Sequence, residues 1–221
     1  MNKVVAIDGP SGAGKSTIAR LLAAELGYQY LDTGALYRAA ALGLLHAGLH
    51  EHSSDSEIAS ALEKTNVSFR GGKVFLNQKD VSQDIRSPEA SHYASVFSAR
   101  RSVREFLLDI QREALHHANL VAEGRDMTTV VFPYASGKFY LDASAEERAR
   151  RRALELRAKG YDVDEKQMLL DIRERDSRDS GRDLAPLKKA DDAVCIDSTG
   201  LSVEEVFRRI LAVVREVGSG S

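Results

Sequence analysis

The residues best suited to chemistry lie near the start of the chain, in a glycine-rich segment that ends in lysine and serine. The pattern Gly-x-x-x-x-Gly-Lys-Ser turns backbone N–H groups inward around phosphate oxygens, and the helical pattern that follows, Lys15 to Leu26, adds the positive end of its dipole. An apolar run, Val4 to Ile7, precedes the segment as a strand. We therefore predict a nucleoside triphosphate site. Its residues are Gly9, Pro10, Ser11, Gly12, Ala13, Gly14, Lys15, Ser16 and Thr17.

Two side chains of this segment have distinct predicted roles. Lys15 reaches the β and γ phosphates, and the hydroxyl of Ser16 lies where Mg²⁺ would sit between them. A glycine-rich turn with an incidental lysine is the alternative. Replacing Lys15 with alanine should abolish turnover if the phosphate site is real.

Arginines form the second set of candidate residues. Transfer to an acceptor that already carries a phosphate brings two polyanions together, and guanidinium groups fork onto phosphate oxygens. The candidates are Arg38, Arg104, Arg125, Arg175, Arg178 and Arg182. The last three share one helix face at spacing i, i+3 and i+7. A solvated face remains the alternative for that charged helix, and a surface role remains open for Arg38 and Arg104.

Other classes of phosphate-loop protein fit less well. Switch GTPases read guanine with Asn-Lys-x-Asp, and the nearest segment here, Asn77 to Asp80, is interpreted as a turn beside a hairpin. Mechanical ATPases need a longer chain. The pattern therefore favours an ATP-dependent kinase for a small phosphorylated acceptor. A kinase for UMP or for a non-nucleotide acid, and a regulatory module that binds a nucleoside triphosphate without transfer, remain open.

The elements that must position these residues alternate between strands and helices. Five apolar runs predict core strands: Val4 to Ile7, Tyr28 to Leu31, Leu120 to Ala122, Phe139 to Leu141 and Ala193 to Ile196. Strands separated by helices need right-handed crossovers, so the pattern predicts an α/β fold with a doubly wound parallel sheet. Serine followed three residues later by glutamate predicts helix starts at Ser144 and Ser202.

Two segments depart from this alternation. The runs Val67 to Arg70 and Lys73 to Leu76 flank a Gly-Gly pair, which predicts a small antiparallel hairpin. One helical pattern ends near Gly160 and a very polar one starts after Asp164, which is typical of a helical lid. We expect one domain over residues 1–217, with an insertion at about 67–86, a lid at about 160–185 and a flexible tail at 218–221.

Composition limits the partners and the location. The 221 residues are 43% apolar and 29% charged, as in globular proteins. A net charge of −2 is too weak to attract polyanions, so no nucleic-acid partner is expected. The chain shows no basic leader and no apolar run that would span a bilayer, so we expect a cytoplasmic location away from membranes. A monomer is expected as well. Cys195 lies in an apolar run and is predicted to be buried.

Taken together, these segments closely resemble the bacterial cytidylate kinases, members of the nucleoside monophosphate kinase group. The resemblance runs from about Val4 to Val214. It is carried by Ile7 to Ser16, Leu31 to Arg38, Glu123 to Pro133 and Arg175 to Leu187. It implies a phosphate-loop core with five parallel strands, a monophosphate-binding insertion and a mobile lid. It also implies the reaction of ATP with CMP or dCMP, with Mg²⁺.

The resemblance implies roles for individual residues. The implied cytosine readers are Ser95, Arg104 and Asp126. The implied contacts of the acceptor phosphate are Thr33, Tyr37, Arg38 and Arg125. Near the ribose it implies Asp179 and Arg175. The groups implied to act on the transferring phosphoryl are Lys15, Arg125, Arg178 and Arg182. Glu123 is implied to orient a metal-bound water. For the charged residues Arg148, Arg150, Arg151 and Arg152, contact with ATP and a solvated face both remain open.

Two residues differ from the usual pattern of the family. Thr128 stands where many relatives have glycine, and Tyr134 stands where an aspartate is usual. We expect neither residue to touch substrate, so the difference concerns the local loop geometry.

Overall fold

The structure, a computed structural model, describes residues 2–219. Within this range the strands are β1 (Val4–Asp8), β2 (Gln29–Asp32), β3 (Val67–Arg70), β4 (Lys73–Leu76), β5 (Lys79–Asp80), β6 (Leu120–Gly124), β7 (Gly137–Asp142) and β8 (Val194–Asp197). The α-helices are α1 (Lys15–Leu26), α2 (Thr33–His46), α3 (Asp55–Glu63), α4 (Pro88–Phe97), α5 (Arg101–His117), α6 (Ala145–Ala158), α7 (Glu165–Ser180) and α8 (Val203–Ser219). A 3₁₀ turn (Asp84–Arg86) and a π-helical turn (Met127–Val131) complete the list.

The main sheet is parallel, with strand order β2-β6-β1-β7-β8. Successive side chains of a strand point to opposite faces, so β1 contributes to two cores. Val4 and Ala6 pack beneath α2, α4 and α5, whereas Val5 and Ile7 pack against α1 and α8. The predicted doubly wound α/β core is therefore confirmed. Strand order matters for the site because the carboxyl ends of β2, β6 and β1 lie side by side.

The five predicted core strands are confirmed, with bounds that differ by one or two residues. The prediction that Cys195 is buried was wrong, because its side chain is exposed. Cys195 lies in β8, which is an edge strand paired only with β7. In β8 only Ile196 is buried against the helical layer, so the apolar run does not imply cover on both faces.

The predicted hairpin is confirmed at β3 and β4, and Gly71 and Gly72 adopt the positive φ values of 58° and 76° that a tight turn requires. Sequence reasoning missed β5, which pairs with β4. Asn77 and Gln78 also have positive φ and form the predicted turn, but the two residues after them form this short strand.

The two helices predicted after Ser144 and Asp164 are confirmed as α6 and α7, which pack against each other. Ser144 caps α6, since its side chain accepts the N–H of Glu147 at 3.2 Å, and Asp164 caps α7. The start of α8 is also confirmed, because Ser202 and Glu205 exchange hydrogen bonds. No helix in the described part of the chain combines the length and apolar character needed to cross a lipid bilayer.

Candidate active site

A cleft of about 750 Å³ opens at the carboxyl ends of β1, β2 and β6. Open α/β sheets bind ligands at this edge, where the loops after adjacent strands diverge. One wall of the cleft is the phosphate loop, which joins β1 to α1. The other walls come from α2, α5, the loop after β6, and helices α6 and α7.

The backbone of the phosphate loop has the geometry that its glycines allow. Gly9 has φ +146°, and a Cβ atom there would lie 1.9 Å from the carbonyl oxygen of Leu141. Gly12 has φ +81° and packs against the backbone of Arg148. Residues with side chains rarely adopt these angles, so the two glycines permit the turn and its close approach to β7 and α6.

Lys15 is held inside this loop. Its Nζ donates to the carbonyl oxygen of Pro10 at 2.7 Å, and the side chain is buried. Burial, together with the nearby Arg125, lowers the pKa of Lys15 to about 7. A bound anion would favour the charged ammonium form of Lys15, so we expect this lysine to gain a proton when a phosphate binds.

A hydroxyl and a carboxylate meet at the start of α1. Ser16 Oγ donates to Glu123 Oε1, and the hydroxyl of Tyr30 donates to the same oxygen at 3.0 Å. Burial and the carboxylate of Glu123 raise the pKa of Tyr30, so it stays a donor. This arrangement sets a hydroxyl oxygen and a carboxylate beside the phosphate loop, from segments more than a hundred residues apart in sequence.

The predicted contacts of the acceptor phosphate come together on the opposite wall. Thr33 Oγ1 donates to the carbonyl oxygen of Glu123 at 2.7 Å. Arg38 pairs with Asp32 at 3.2 Å, and Arg125 and Tyr37 also line the cleft.

Several guanidinium groups near the cleft have N–H groups to spare. In the described residues, the buried Nε atoms of Arg38, Arg175 and Arg182 have no hydrogen-bond partner. Burying an unpaired N–H is costly, and phosphate oxygens would satisfy it. The three arginines line the same cleft as Lys15, so the cleft has cations on both walls and unused donors on the arginine wall.

The end of the cleft beneath α4 and α5 holds a buried ion pair. Arg104 pairs with Asp126, and their side chains are only 7% and 4% exposed. Arg104 also donates to the carbonyl oxygen of Ser98 at 3.1 Å and lies over the ring of Tyr37. The pair therefore presents a fixed donor and a fixed acceptor to anything that enters this end.

Four predicted site residues lie outside the lining of the cleft. Gly9 and Pro10 belong to the phosphate loop but do not line the cleft. Ser95 is buried, and its hydroxyl accepts a hydrogen bond from Arg178 Nη1 at 3.1 Å. Arg178 also pairs with Glu174. These two residues therefore contact each other, and neither faces the cleft in this arrangement.

Helix α7 directs Asp179 into a cluster of arginines. Its carboxylate accepts from Arg125 Nε at 2.8 Å, pairs with Arg182, and lies 3.9 Å from Arg175. Burial opposes its ionisation, but the three guanidinium groups outweigh burial and hold the pKa of Asp179 below its usual range. Burial and Arg125 also lower the pKa of Arg175 to about 9. A fully solvated face is thus excluded for this side of α7.

Sequence reasoning missed the place of Arg148. It is buried, it donates to the carbonyl oxygens of Ala143 and Ser11 at 2.8 and 3.2 Å, and it pairs with Asp176 of α7 at 2.7 Å. It therefore supports the phosphate loop from outside the cleft. No sequence signal distinguishes it from the neighbouring arginines 150–152, which line the cleft.

This chain is similar to known proteins over nearly its whole length. The family model described as Cytidylate kinase matches residues 5–216. A curated cytidylate kinase of Fervidobacterium nodosum is 48% identical over 216 residues and is matched over 98% of both chains. One of Geobacter sulfurreducens is 49% identical over 217 residues, which cover 96% of this chain and 93% of that protein. A crystal structure of an uncharacterized protein from Eubacterium ventriosum, 15% identical, superposes over 97% of this chain and 99% of that one with a TM-score of 0.52, which supports the fold alone. The chain belongs to the cytidylate kinase family.

Proposed function

We propose that the chain transfers the γ-phosphoryl group of ATP to CMP or dCMP, which yields ADP and CDP or dCDP. The single observation that carries the proposal is one cleft with anion-binding groups on both walls. Lys15 and the loop amides form one wall, and Arg38, Arg125 and Arg182 stand on the other. Membership of the cytidylate kinase family supports the same reaction.

The proposed mechanism needs positioning and charge stabilisation rather than a nucleophilic side chain. The acceptor's own phosphate oxygen attacks. Thr33, Tyr37, Arg38 and Arg125 hold that phosphate, and Lys15 holds the donor. The unpartnered Nε of Arg38 supports this assignment, since a phosphate oxygen would complete its hydrogen bonds.

The residues beside the phosphate loop fit a Mg²⁺ ion. Ser16 and Glu123 provide a hydroxyl and a carboxylate in contact with each other. Mg²⁺ prefers oxygen ligands, and in nucleotide sites it takes one or two from the protein and the remainder from phosphates and water. We propose that Ser16 is a direct ligand and that Glu123 acts through water. The ion would neutralise charge that develops on the β and γ phosphate oxygens.

We propose that the Arg104–Asp126 pair reads cytosine. The carboxylate of Asp126 can accept from the exocyclic amino group of cytosine, and Arg104 can donate to the acceptors on the same edge. Uracil has a carbonyl in place of the amino group, so it would leave the carboxylate unpaired and facing an acceptor. A site built on hydrogen bonds rejects such analogues strongly. Ser95 is proposed as a further base reader. To act in this way, its hydroxyl must give up the hydrogen bond that it accepts from Arg178 and bind the base instead.

We propose that the region at about 160–185, which includes α7, forms a lid on a single domain, residues 1–217, with the hairpin region 67–86 as the monophosphate-binding insertion. Asp179 and Arg175 would then meet the ribose, and Arg178 and Arg182 would close over the transferring group. Closure after both substrates bind would exclude water and limit wasteful hydrolysis.

A coupled assay for ADP formation tests the proposal. The enzyme is supplied with ATP, Mg²⁺ and, in turn, CMP, dCMP, UMP, AMP and GMP. ADP release with CMP and dCMP, and little with the others, is the expected result. Lys15→Ala is the control for contaminating kinases and should be inactive. ADP formation with another acceptor alone, or with no acceptor, would contradict the proposal.

A further inference from the structure

Asp8 is a buried carboxylate to which the proposed mechanism gives no role. It is the last residue of β1, immediately before Gly9 of the phosphate loop, and its exposed fraction is 0%. Aspartate is almost never fully buried unless its oxygens are paired. Its partners therefore indicate what it does.

The side chain of Asp8 accepts its hydrogen bonds from the chain just past Asp126. Oδ1 accepts the N–H of Met127 at 2.8 Å, while Oδ2 accepts both the N–H of Thr128 at 2.7 Å and the hydroxyl of Thr128 at 2.6 Å. These donors lie about 120 residues away in sequence. One side chain thus joins the strand that enters the phosphate loop to the turn that follows the proposed base reader.

The turn that Asp8 holds is an unusual one. Met127–Val131 forms a single π-helical turn, in which the carbonyl oxygen of Asp126 accepts the N–H groups of Val130 and Val131 at 2.9 and 3.1 Å. π-helical turns are rare and are frequent at functional sites. Asp8 contacts this turn from outside, at its first two amides.

The carboxylate form of Asp8 is stabilised by hydrogen bonds from uncharged donors. Three titratable groups face it: Lys15 of α1, Asp126 of the loop after β6, and Tyr140 of β7. Burial raises the pKa of Asp8 to about 6, although its hydrogen bonds to Thr128 and Met127 oppose the rise. The carboxylate form present at neutral pH thus relies on these bonds, and the Thr128 hydroxyl contributes one that a backbone alone does not offer.

We propose that Asp8 and Thr128 are positioning residues for the acceptor: their hydrogen bonds hold Arg125 and Asp126 in register with the phosphate loop. This inference rests on the proposed function, because it gives Asp126 the role of base reader. Neither residue touches substrate. Their effect is on how well the acceptor site is ordered before the nucleotide arrives, so it falls on acceptor binding and base selectivity rather than on ATP binding.

The test compares Thr128→Val with Thr128→Ser. Valine keeps the shape and the amide but removes the hydroxyl, whereas serine keeps the hydroxyl. Loss of a hydrogen bond to a charged acceptor predicts a rise in KM for CMP of about tenfold in Thr128→Val, with a similar loss of CMP-over-UMP preference. KM for ATP should stay within about twofold, and serine should stay near wild type.

A second measurement is independent of turnover. Hydrogen exchange of the amides of residues 126–131 should be faster in Thr128→Val than in Thr128→Ser, while the amides of residues 9–17 exchange equally in both. Thr128→Ala, which removes the hydroxyl without adding bulk, replaces the valine variant if that one does not fold. Asp8→Asn, in which an amide nitrogen faces the donors, should show the larger loss in each measurement.

Equal KM values for CMP in the valine and serine variants would overturn the inference. So would a parallel rise in KM for both substrates, because that indicates general destabilisation. A wild-type enzyme that releases no ADP with CMP would instead refute the proposed function. In that case, unequal exchange at residues 126–131 would still establish the Asp8 anchor, and equal exchange would remove it.

Discussion

Asp126 is predicted to affect both the stability of the protein and its selectivity for the base, and substitutions of the Arg104–Asp126 pair can separate the two effects. Asp126→Ala leaves the guanidinium of Arg104 buried and without its counter-charge. A carboxyl group can take up a proton, but arginine stays charged at any ordinary pH, so the two partners are not equivalent. We expect Asp126→Ala to destabilise the protein more than Arg104→Met does.

The magnitude follows from the burial of the pair. Breaking a buried ion pair by removing one partner costs about 3–5 kcal/mol. Arg104 keeps its bond to Ser98 and its contact with Tyr37, so the lower end, about 3 kcal/mol, is expected. For a chain of this size that corresponds to a fall in Tm of roughly 6–12 °C.

The assay pairs calorimetry with kinetics on three variants. The double variant Arg104→Met/Asp126→Leu buries no charge, and such replacements of buried pairs are often neutral or stabilising. Its Tm should return to within about 3 °C of the wild type. Its preference for CMP over UMP should stay as low as in Asp126→Ala, because neither variant has the carboxylate.

Two results would refute this reasoning. If Asp126→Ala keeps both its Tm and its CMP preference, the pair neither carries a desolvated charge nor reads the base. If the double variant regains the CMP preference together with the Tm, selectivity comes from the packing of the pocket rather than from the hydrogen bonds of the pair.

Three further predictions concern the lid, the phosphate loop and the sheet edge. Arg182→Ala should lower kcat by roughly a hundredfold or more while the Kd for ATP, measured by calorimetry, changes little, since its charge acts in the transition state; an unchanged kcat would exclude it from transfer. Because the pKa of Lys15 is about 7 in the free chain, ATP binding should take up about one proton at pH 8 and almost none at pH 6, measured in buffers of different ionisation enthalpy; an uptake independent of pH would contradict this. Cys195 is exposed at β8, so the folded protein should react with about one equivalent of a thiol reagent without denaturant; a thiol that reacts only after unfolding would contradict its exposure.

Local patterns in the sequence determined the main elements of this protein. The phosphate loop at residues 9–17 could be identified because its amides and its lysine must follow one another along the chain. The hairpin turn at Gly71 and Gly72 and the helix starts at Ser144 and Ser202 could be predicted for the same reason, since each depends on residues within a few positions of one another.

Only the tertiary structure decided which distant side chains meet. Asp8 with Thr128, Arg125 with Asp179 and Arg148 with Ser11 are each separated by more than fifty residues. These contacts depend on the strand order, which brings the ends of β2, β6 and β1 together, and on the packing of α7 against the cleft. A hydrogen bond forms only when the donor–acceptor distance lies within a range of a few tenths of an ångström. Periodicity and composition do not determine atomic positions to that precision, whereas the packed sheet does.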